Sequence, residues 1–485
     1  MSNDMQIGNS QLSRRSFLKT TVTGAAGLAA AGSFLTRPER VLGANDRVRV
    51  AVCGVHGRGN DHIMNYSKLS NVEIAAICDI DEGVTAKCVD TMVKQGIPKP
   101  ATFVDIRKLL DDKSIDAISI ATPNHWHTLM GVWACQAGKD VYVEKPCSHN
   151  LWEGKQIVAA AQRYNRVVQH GTQIRSATAV REGIQKIRDG VIGDVYMARG
   201  LCYKWRDTIG NTPVSEVPAG VNYDLWTGPA PLHQFTKNRF HYNWHWFWIY
   251  GNGDMGNQGT HQLDVARWGL DVGFPNKVSA IGGHFMFEDD QETPNDLICA
   301  FEFDQPDGKR KMMTFEVRHW ITNHEAEIGT PDMGTPVRVR NPNGEGFATS
   351  GRPPVRVSAH NTIGDIFYGS KGYLSTGDED ADTYGVWLGP DQDPQPKVHS
   401  GTELAHFANF IDCVVSRKRE NLNAPIEEAH KSMALMHLAN ASYRLGRTLN
   451  FNPDTQEVIG DSEANNLLRD GNRGYRAPFV VPEEV

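Results

Sequence analysis

From residue 47 the chain alternates short apolar runs with longer segments whose apolar positions recur every three or four residues. The runs at 47–53, 72–78, 102–104, 117–121, 141–143 and 166–171 are rich in Val, Ile and Ala. Such near-continuous apolar stretches are what strands buried on both faces require. Between them, 61–69, 106–110, 128–137 and 151–164 have helical periodicity. Strand, helix and strand in turn predict a doubly wound parallel α/β sheet of Rossmann type, closing near residue 171. Beyond 172 the rhythm changes to long connections with many aromatics, then to alternating segments at 195–203, 277–287, 296–303 and 312–317. These predict an α+β domain with a mixed or mostly antiparallel sheet. Residues 325–354, dense in Gly, Pro, Thr and Asn, read as a long loop or insertion. A strongly amphipathic helix is expected over 427–445, with Met433, Leu435, Met436, Leu438 and Leu445 as core filling rather than a ligand box.

The chain of 485 residues divides accordingly into 1–44, a Rossmann domain at 45–171, an α+β domain at 172–453 and a tail at 454–485. That length suits two cores. A net charge of −7, with no basic block beyond the N-terminus, argues against nucleic acid as a partner. The eight cysteines have neither CxxC pairing nor zinc spacing, so they read as small buried hydrophobes. Ser13-Arg14-Arg15-Ser16-Phe17-Leu18-Lys19 precedes a modestly apolar Ala/Gly stretch at 20–35. It has the form of a twin-arginine signal for export of folded protein, placing the mature chain in the periplasm or otherwise outside the cytoplasm. No later apolar run is long enough for a membrane span.

The chemistry gathers at strand ends. The first strand runs into Gly54-Val55-His56-Gly57-Arg58-Gly59, and the second closes on Asp79, about 20 residues past the last glycine. Glycines let the backbone approach a pyrophosphate at a helix start, and a carboxylate at that distance meets a ribose 2′-OH. NAD is therefore expected over NADP. The turn departs from G-x-G-x-x-G: His56 holds the second glycine place, and glycine comes one later, at Gly57. The fourth strand delivers Thr122, Pro123, Asn124, His125 and His127 to the same edge, and the fifth delivers Glu144 and Lys145. The expected cofactor contacts are Gly54, His56, Gly57, Arg58, Gly59, Asp79, Thr122, Pro123, Asn124 and His127. Lys145 is the first candidate for proton transfer, because an ammonium desolvated against a cofactor can exchange a proton near neutral pH.

Between the two halves lies Asn238-Arg-Phe-His-Tyr-Asn-Trp-His-Trp-Phe-Trp-Ile-Tyr250. Flat apolar rings beside donors and acceptors suit a carbohydrate. The substrate side is expected to use Gln173, Arg175, Arg239, His241, Trp244, His245, Asn257 and Asp264, with Lys204, Arg206 and His319 nearby. His241 and His245, followed by Asp254, His261 and Asp264, raise a zinc or calcium alternative, but no HExxH-like signature supports a metal.

With the glycine turn, ATPNHWH, VYVEKP and GNGDMGNQGTHQLD (251–264) together, the chain resembles the Gfo/Idh/MocA oxidoreductases over roughly 46–450. The resemblance implies a Rossmann domain joined to an α/β domain whose open sheet often mediates oligomerisation, hence a homo-oligomer. It implies NAD(P)-linked redox chemistry on sugars, inositols or other polyols. Lys145 would lie near the reacting hydroxyl, Glu144 at the cofactor ribose, and His261 in a proton-relay or substrate role. Exported members similar to glucose-fructose oxidoreductase hold their cofactor tightly. One position departs from the family: the usual acid, four residues before the histidine, is Asn257 here, and an amide takes up no proton at neutral pH. Three readings follow: a hydroxyl oxidoreductase, an NAD-recycling glycosidase that oxidises, eliminates and reduces, and a non-catalytic NAD- or sugar-binding protein.

Overall fold

The computed structural model describes residues 47–320, 322–333, 361–377, 382–400, 403–470 and 473–485. The 1–44 segment and the 334–354 part of the expected insertion lie outside the described residues.

The first domain is built on six parallel strands, β1 (Val48–Cys53), β2 (Val72–Cys78), β3 (Ala101–Phe103), β4 (Ala117–Ile120), β5 (Asp140–Val143) and β6 (Val168–His170), in the order β3-β2-β1-β4-β5-β6. Its helices are α1 (Arg58–Tyr66), α2 (Glu82–Lys94), α3 (Ile106–Leu110), α4 (His127–Gln136) and α5 (Leu151–Arg163). β4, β5 and β6 are buried at every position, which is why their sequence shows no alternation. Strand order reverses between β1 and β4, so a crevice opens outside their carboxyl ends. α2 is an element that periodicity alone left out. It buries only Cys88 and Met92, and its start is fixed by Asp81, whose Oδ1 accepts from Gly83 N at 2.9 Å and Val84 N at 3.1 Å.

The second domain contains α6 (Thr178–Arg188), β7 (Val195–Tyr203), α7 (Tyr223–Thr227), α8 (Gly253–Asn257), α9 (Gly259–Leu270), β8 (Lys277–Gly283), β9 (Asp296–Asp304), β10 (Arg310–Arg318), β11 (Thr362–Gly369), β12 (Gly372–Thr376), β13 (Thr383–Leu388), α10 (Leu404–Ser416), α11 (Ile426–Leu445) and α12 (Ser462–Asp470). These strands lie in the order β13-β12-β11-β7-β10-β9-β8 within an 11-stranded sheet, antiparallel except for β7 with β10. The parallel pair sends two adjacent chain ends, Lys204–Arg206 and His319, in one direction; Arg206 N donates to His319 O at 2.7 Å. β8 stops at Gly283, short of the expected 287, and the following Phe285 is 70% exposed.

One expectation is corrected. α11 is buried nearly all round, not amphipathic, because it lies among α5, α9, α12 and β8. Two of its polar residues bond within the core: Ser432 Oγ donates to Asp264 Oδ1 at 2.6 Å, and Asn440 Nδ2 to Asn252 O at 3.0 Å. α10, far along the chain, packs Phe407, Phe410 and Ile411 into the core of β1, β2 and α1. Residues 473–485, after α12, form a packed strap. Arg473 Nη1 donates to Ile249 O at 2.8 Å, its Nη2 lies 3.1 Å from Glu153 Oε1, and Tyr475 Oη donates to the same carboxylate at 2.8 Å.

Candidate active site

The glycine turn joins β1 to α1, and its three glycines do different work. Gly54 sits at φ +80° with its N–H on Cys78 O, and a Cβ there would lie 2.7 Å from Ala121 O. A Cβ on Gly59 would lie 2.0 Å from Gly54 O, so this glycine lets α1 close against the turn. On Gly57 a Cβ would meet no protein atom within 4 Å, because the position faces the cleft. The start of α1 has no side-chain cap, whereas Asp81, Asp105 and Asn150 cap α2, α3 and α5. Its first N–H groups are thus left toward an anion. Asp79 closes the wall, accepting from Val55 N at 2.8 Å and Asp81 N at 3.1 Å. Burial raises its pKa, against the pull of those two N–H groups.

β5 brings Glu144 and Lys145 to the floor. Glu144 Oε1 accepts from Arg58 Nε at 3.0 Å and Gln173 Nε2 at 2.9 Å, and lies 3.0 Å from His62 Nε2. Burial opposes its charge, but Arg58 and His62 hold the carboxyl well below its ordinary range. Gly171 makes the space: a Cβ there would stand 2.9 Å from Glu144 Cδ. Lys145 Nζ donates to the main-chain oxygen of Asn257 at 2.5 Å and to its Oδ1 at 3.2 Å. His127 ties the Thr122–Pro123 turn to this floor, its ring nitrogens 2.7 Å from both Thr122 O and Pro146 O.

The aromatic segment supplies the opposite wall. Phe240, His241, Tyr242, Trp244 and His245 line the cleft, and the His241 ring stacks on His56 with centroids 4.0 Å apart. His241 has φ +57°, and the short 3₁₀ turn begins only at Asn243, so no helical face pairs it with His245. His245 Nδ1 lies 2.5 Å from Tyr242 O; burial, with Lys145 nearby, lowers its pKa to about 3, so the ring is neutral. Behind this wall Arg206 Nε and Nη2 reach the two oxygens of Asp254 at 2.8 and 2.9 Å, and His319 Nε2 stands 2.7 Å from Oδ2. Burial works against the Asp254 charge, yet Arg206 and His319 hold its pKa well below the usual value. Lys204 Nζ donates to Gln258 Oε1 at 2.8 Å.

Of the residues expected at the site, Gly54, His56, Gly57, Arg58, Asp79, Thr122, Pro123, His127, Glu144, Lys145, Gln173, His241, Trp244, His245 and Asn257 all line this cleft. The others do not. Gly59 packs under the turn, and Asn124 is turned inward, donating to Asn252 Oδ1 at 2.6 Å. His125 is buried with Nε2 3.0 Å from Trp226 O. Arg175 and Asp264 form a bidentate pair in the core at 2.6 and 2.9 Å, and Arg239 lies over Phe247. His261 is buried in α9, 1% exposed, and is not among the residues that line the cleft. Tyr242 was missed, because nothing in its spacing separates it from the surrounding aromatics. Among the described residues no three His, Cys, Asp or Glu side chains gather as a metal site, and no helix is long and apolar enough to cross a membrane.

Comparison with known proteins bears on this geometry. Residues 48–172 match the family model described as "Oxidoreductase family, NAD-binding Rossmann fold", and residues 178–281 and 382–479 match its companion "Oxidoreductase family, C-terminal alpha/beta domain". A glycosyl hydrolase family 109 protein of Shewanella baltica (strain OS155) is 32% identical over 201 residues, which is 38% of this chain and 44% of that protein. An alpha-N-acetylgalactosaminidase of Shewanella oneidensis is 31% identical over 201 residues, with the same coverage of 38% and 44%. The chain thus matches less than half the length of these relatives. Among solved structures, levoglucosan dehydrogenase in complex with NADH and L-sorbose superposes with a TM-score of 0.60 at 17% identity, covering 84% of this chain and 99% of that one. The WlbA dehydrogenase from Bordetella pertussis in complex with NADH and UDP-GlcNAcA gives 0.57 at 17%, with 84% and 99% covered. At these identities the structural likeness establishes the fold.

Proposed function

We propose, from the premise that the chain belongs to the Gfo/Idh/MocA oxidoreductase family, that it moves hydride between NAD and a carbon bearing a secondary hydroxyl in a sugar, glycoside or polyol. The observation that carries this reading is Lys145 Nζ on the floor of the cleft that begins at the open Gly57 and the uncapped start of α1. The residues present fit the cofactor: Gly57 leaves room, Asp79 offers a carboxylate to a ribose, and Gln173 Oε1 is a buried acceptor without a partner among the described residues. Bound NAD would supply the two-electron acceptor. Arg58 and the α1 N-terminus would hold its phosphates, Asp79 and Glu144 its riboses, and Lys145 would meet the reacting oxygen in acid/base catalysis. The aromatic wall of Phe240, His241 and Trp244 offers flat faces to a sugar.

The test is Lys145→Met. Retained NAD binding with turnover reduced by about 10²–10⁴-fold is expected, the usual weight of a positioned proton-transfer group. Undiminished turnover would refute the assignment. The glycosidase relatives favour a second reading, in which hydride is returned within each cycle. Nitrophenol release from an aryl glycoside without net NADH separates it from the first. The SRRSFLK stretch further supports export of the folded, NAD-loaded chain. The open sheet face, with Ile281, Ile298 and Met312 exposed, supports self-association.

A further inference from the structure

An ammonium fixed by two amide oxygens leaves a question of proton traffic. Lys145 Nζ donates hydrogen bonds to both oxygens of Asn257. Asn257 holds the ammonium but accepts no proton from it. His245, the neighbouring ring, is kept neutral with Nδ1 engaged at the Tyr242 carbonyl. The titratable group that remains at the cleft end of this array is the phenol of Tyr242.

Its setting is specific. Tyr242 lines the cleft and its residue surface is 53% exposed, while its oxygen accepts from Arg206 Nη1 at 3.2 Å and from Asn257 Nδ2 at 3.3 Å. Two incoming hydrogen bonds occupy both lone pairs of a phenol and direct its own proton outward. The same two donors stabilise a phenolate. Lys145 and Tyr242 are therefore one amide apart, on the two ends of the Asn257 side chain. Arg206 is itself locked by Asp254, which His319 also engages, so the cation beside the phenol cannot swing away. Charged or titratable groups facing the phenol are Arg206, Lys204, Asp254 and His245. Burial of the oxygen raises the phenol pKa, but Arg206 and Lys204 more than offset it, and the net shift is downward.

We propose that Tyr242 is a catalytic acid/base residue of this site, taking the proton of the substrate hydroxyl as phenolate while the Lys145 ammonium hydrogen-bonds the same oxygen. This deepens the hydroxyl oxidoreductase reading, rests on it, and narrows the part of Lys145 in the acid/base step to that hydrogen bond, with Tyr242 as the proton acceptor. In the oxidising direction the substrate O–H bond breaks and its proton passes to the phenolate oxygen. The C–H electron pair leaves as hydride to the oxidised nicotinamide, and the alcohol becomes a ketone. In the reducing direction the phenol returns the proton.

The experiment compares the native NAD-loaded chain with Tyr242→Phe. An ultraviolet titration of tyrosinate, run without substrate, should show one phenol ionising below the ordinary value near ~10 in the native protein and missing from the variant. Oxidation should rise with pH along a limb that follows this ionisation, and Tyr242→Phe should lose the limb and about 10²–10⁴-fold in kcat. 3-Fluorotyrosine at 242, a more acidic phenol, should restore turnover and move the limb to lower pH. If Tyr242→Phe binds NAD and keeps both the native kcat and its pH limb, the inference is overturned and the parent reading stands. If the native chain itself binds no pyridine nucleotide, the parent reading fails first.

Discussion

Asp264 shows how far a residue's place can differ from its apparent role. Its carboxylate was expected at the substrate, yet it is 1% exposed, paired with Arg175 and bonded by Ser432 Oγ. Burial opposes its charge, but Arg175 dominates and brings the pKa to about 2. A folded pKa below the unfolded value of about 3.9 contributes stability that is complete above that value and lost as pH falls through 2. Asp264→Asn leaves the Arg175 charge buried without its counter-ion, at a cost of about 3–5 kcal/mol. A lower Tm at pH 7, a shallower loss of stability between pH 4 and 2, and unchanged NAD affinity are expected. A large loss of NAD affinity at unchanged Tm would return Asp264 to the binding machinery.

At the scale of elements, the start of α1 carries the cofactor half of the site. Gly57 and Gly59 are two residues apart and look equivalent in sequence, but one faces the cleft and the other faces Gly54 O. Gly57→Ala should therefore weaken NAD binding at nearly constant Tm. Gly59→Ala pushes α1 away from β1, so it should lower Tm and NAD affinity together, as thermal melts with and without NAD would show. Equal effects from both would contradict this division. The strand–helix alternation made the whole first sheet legible, because parallel strands buried on both faces leave near-continuous apolar runs. α2 escaped notice since only Cys88 and Met92 of it are buried. α11 was recognised, but its polar residues face other buried polar groups, a distinction periodicity does not carry.

Across the whole molecule, the cleft depends on segments distant in sequence. The strap after α12 ties the end of the aromatic segment at Ile249 to Glu153 of α5 through Arg473, whose side chain is 2% exposed. Arg473→Met leaves the Glu153 carboxylate in the core with one fewer partner, at a cost of about 3–5 kcal/mol. A lower Tm and faster proteolysis within 238–250 are expected; native-like cleavage there would show that the strap does not hold this wall.

Read from the residues alone, the strand–helix alternation, the glycine turn, Asp79 and the Glu144–Lys145 pair were all legible, because each is set by local pattern within a strand or a few residues of its end. The residues also marked the aromatic segment as a wall without saying which rings face the cleft. It took the packed chain to show that Asn124 donates to Asn252, that Arg175 pairs with Asp264 in the core, that His241 stacks on His56, and that Tyr242 meets Arg206 and Asn257. The physical reason is that a strand end fixes its own residues, whereas side chains from loops and short helices take the direction set by the partners that satisfy their hydrogen bonds, and those partners lie far away along the chain.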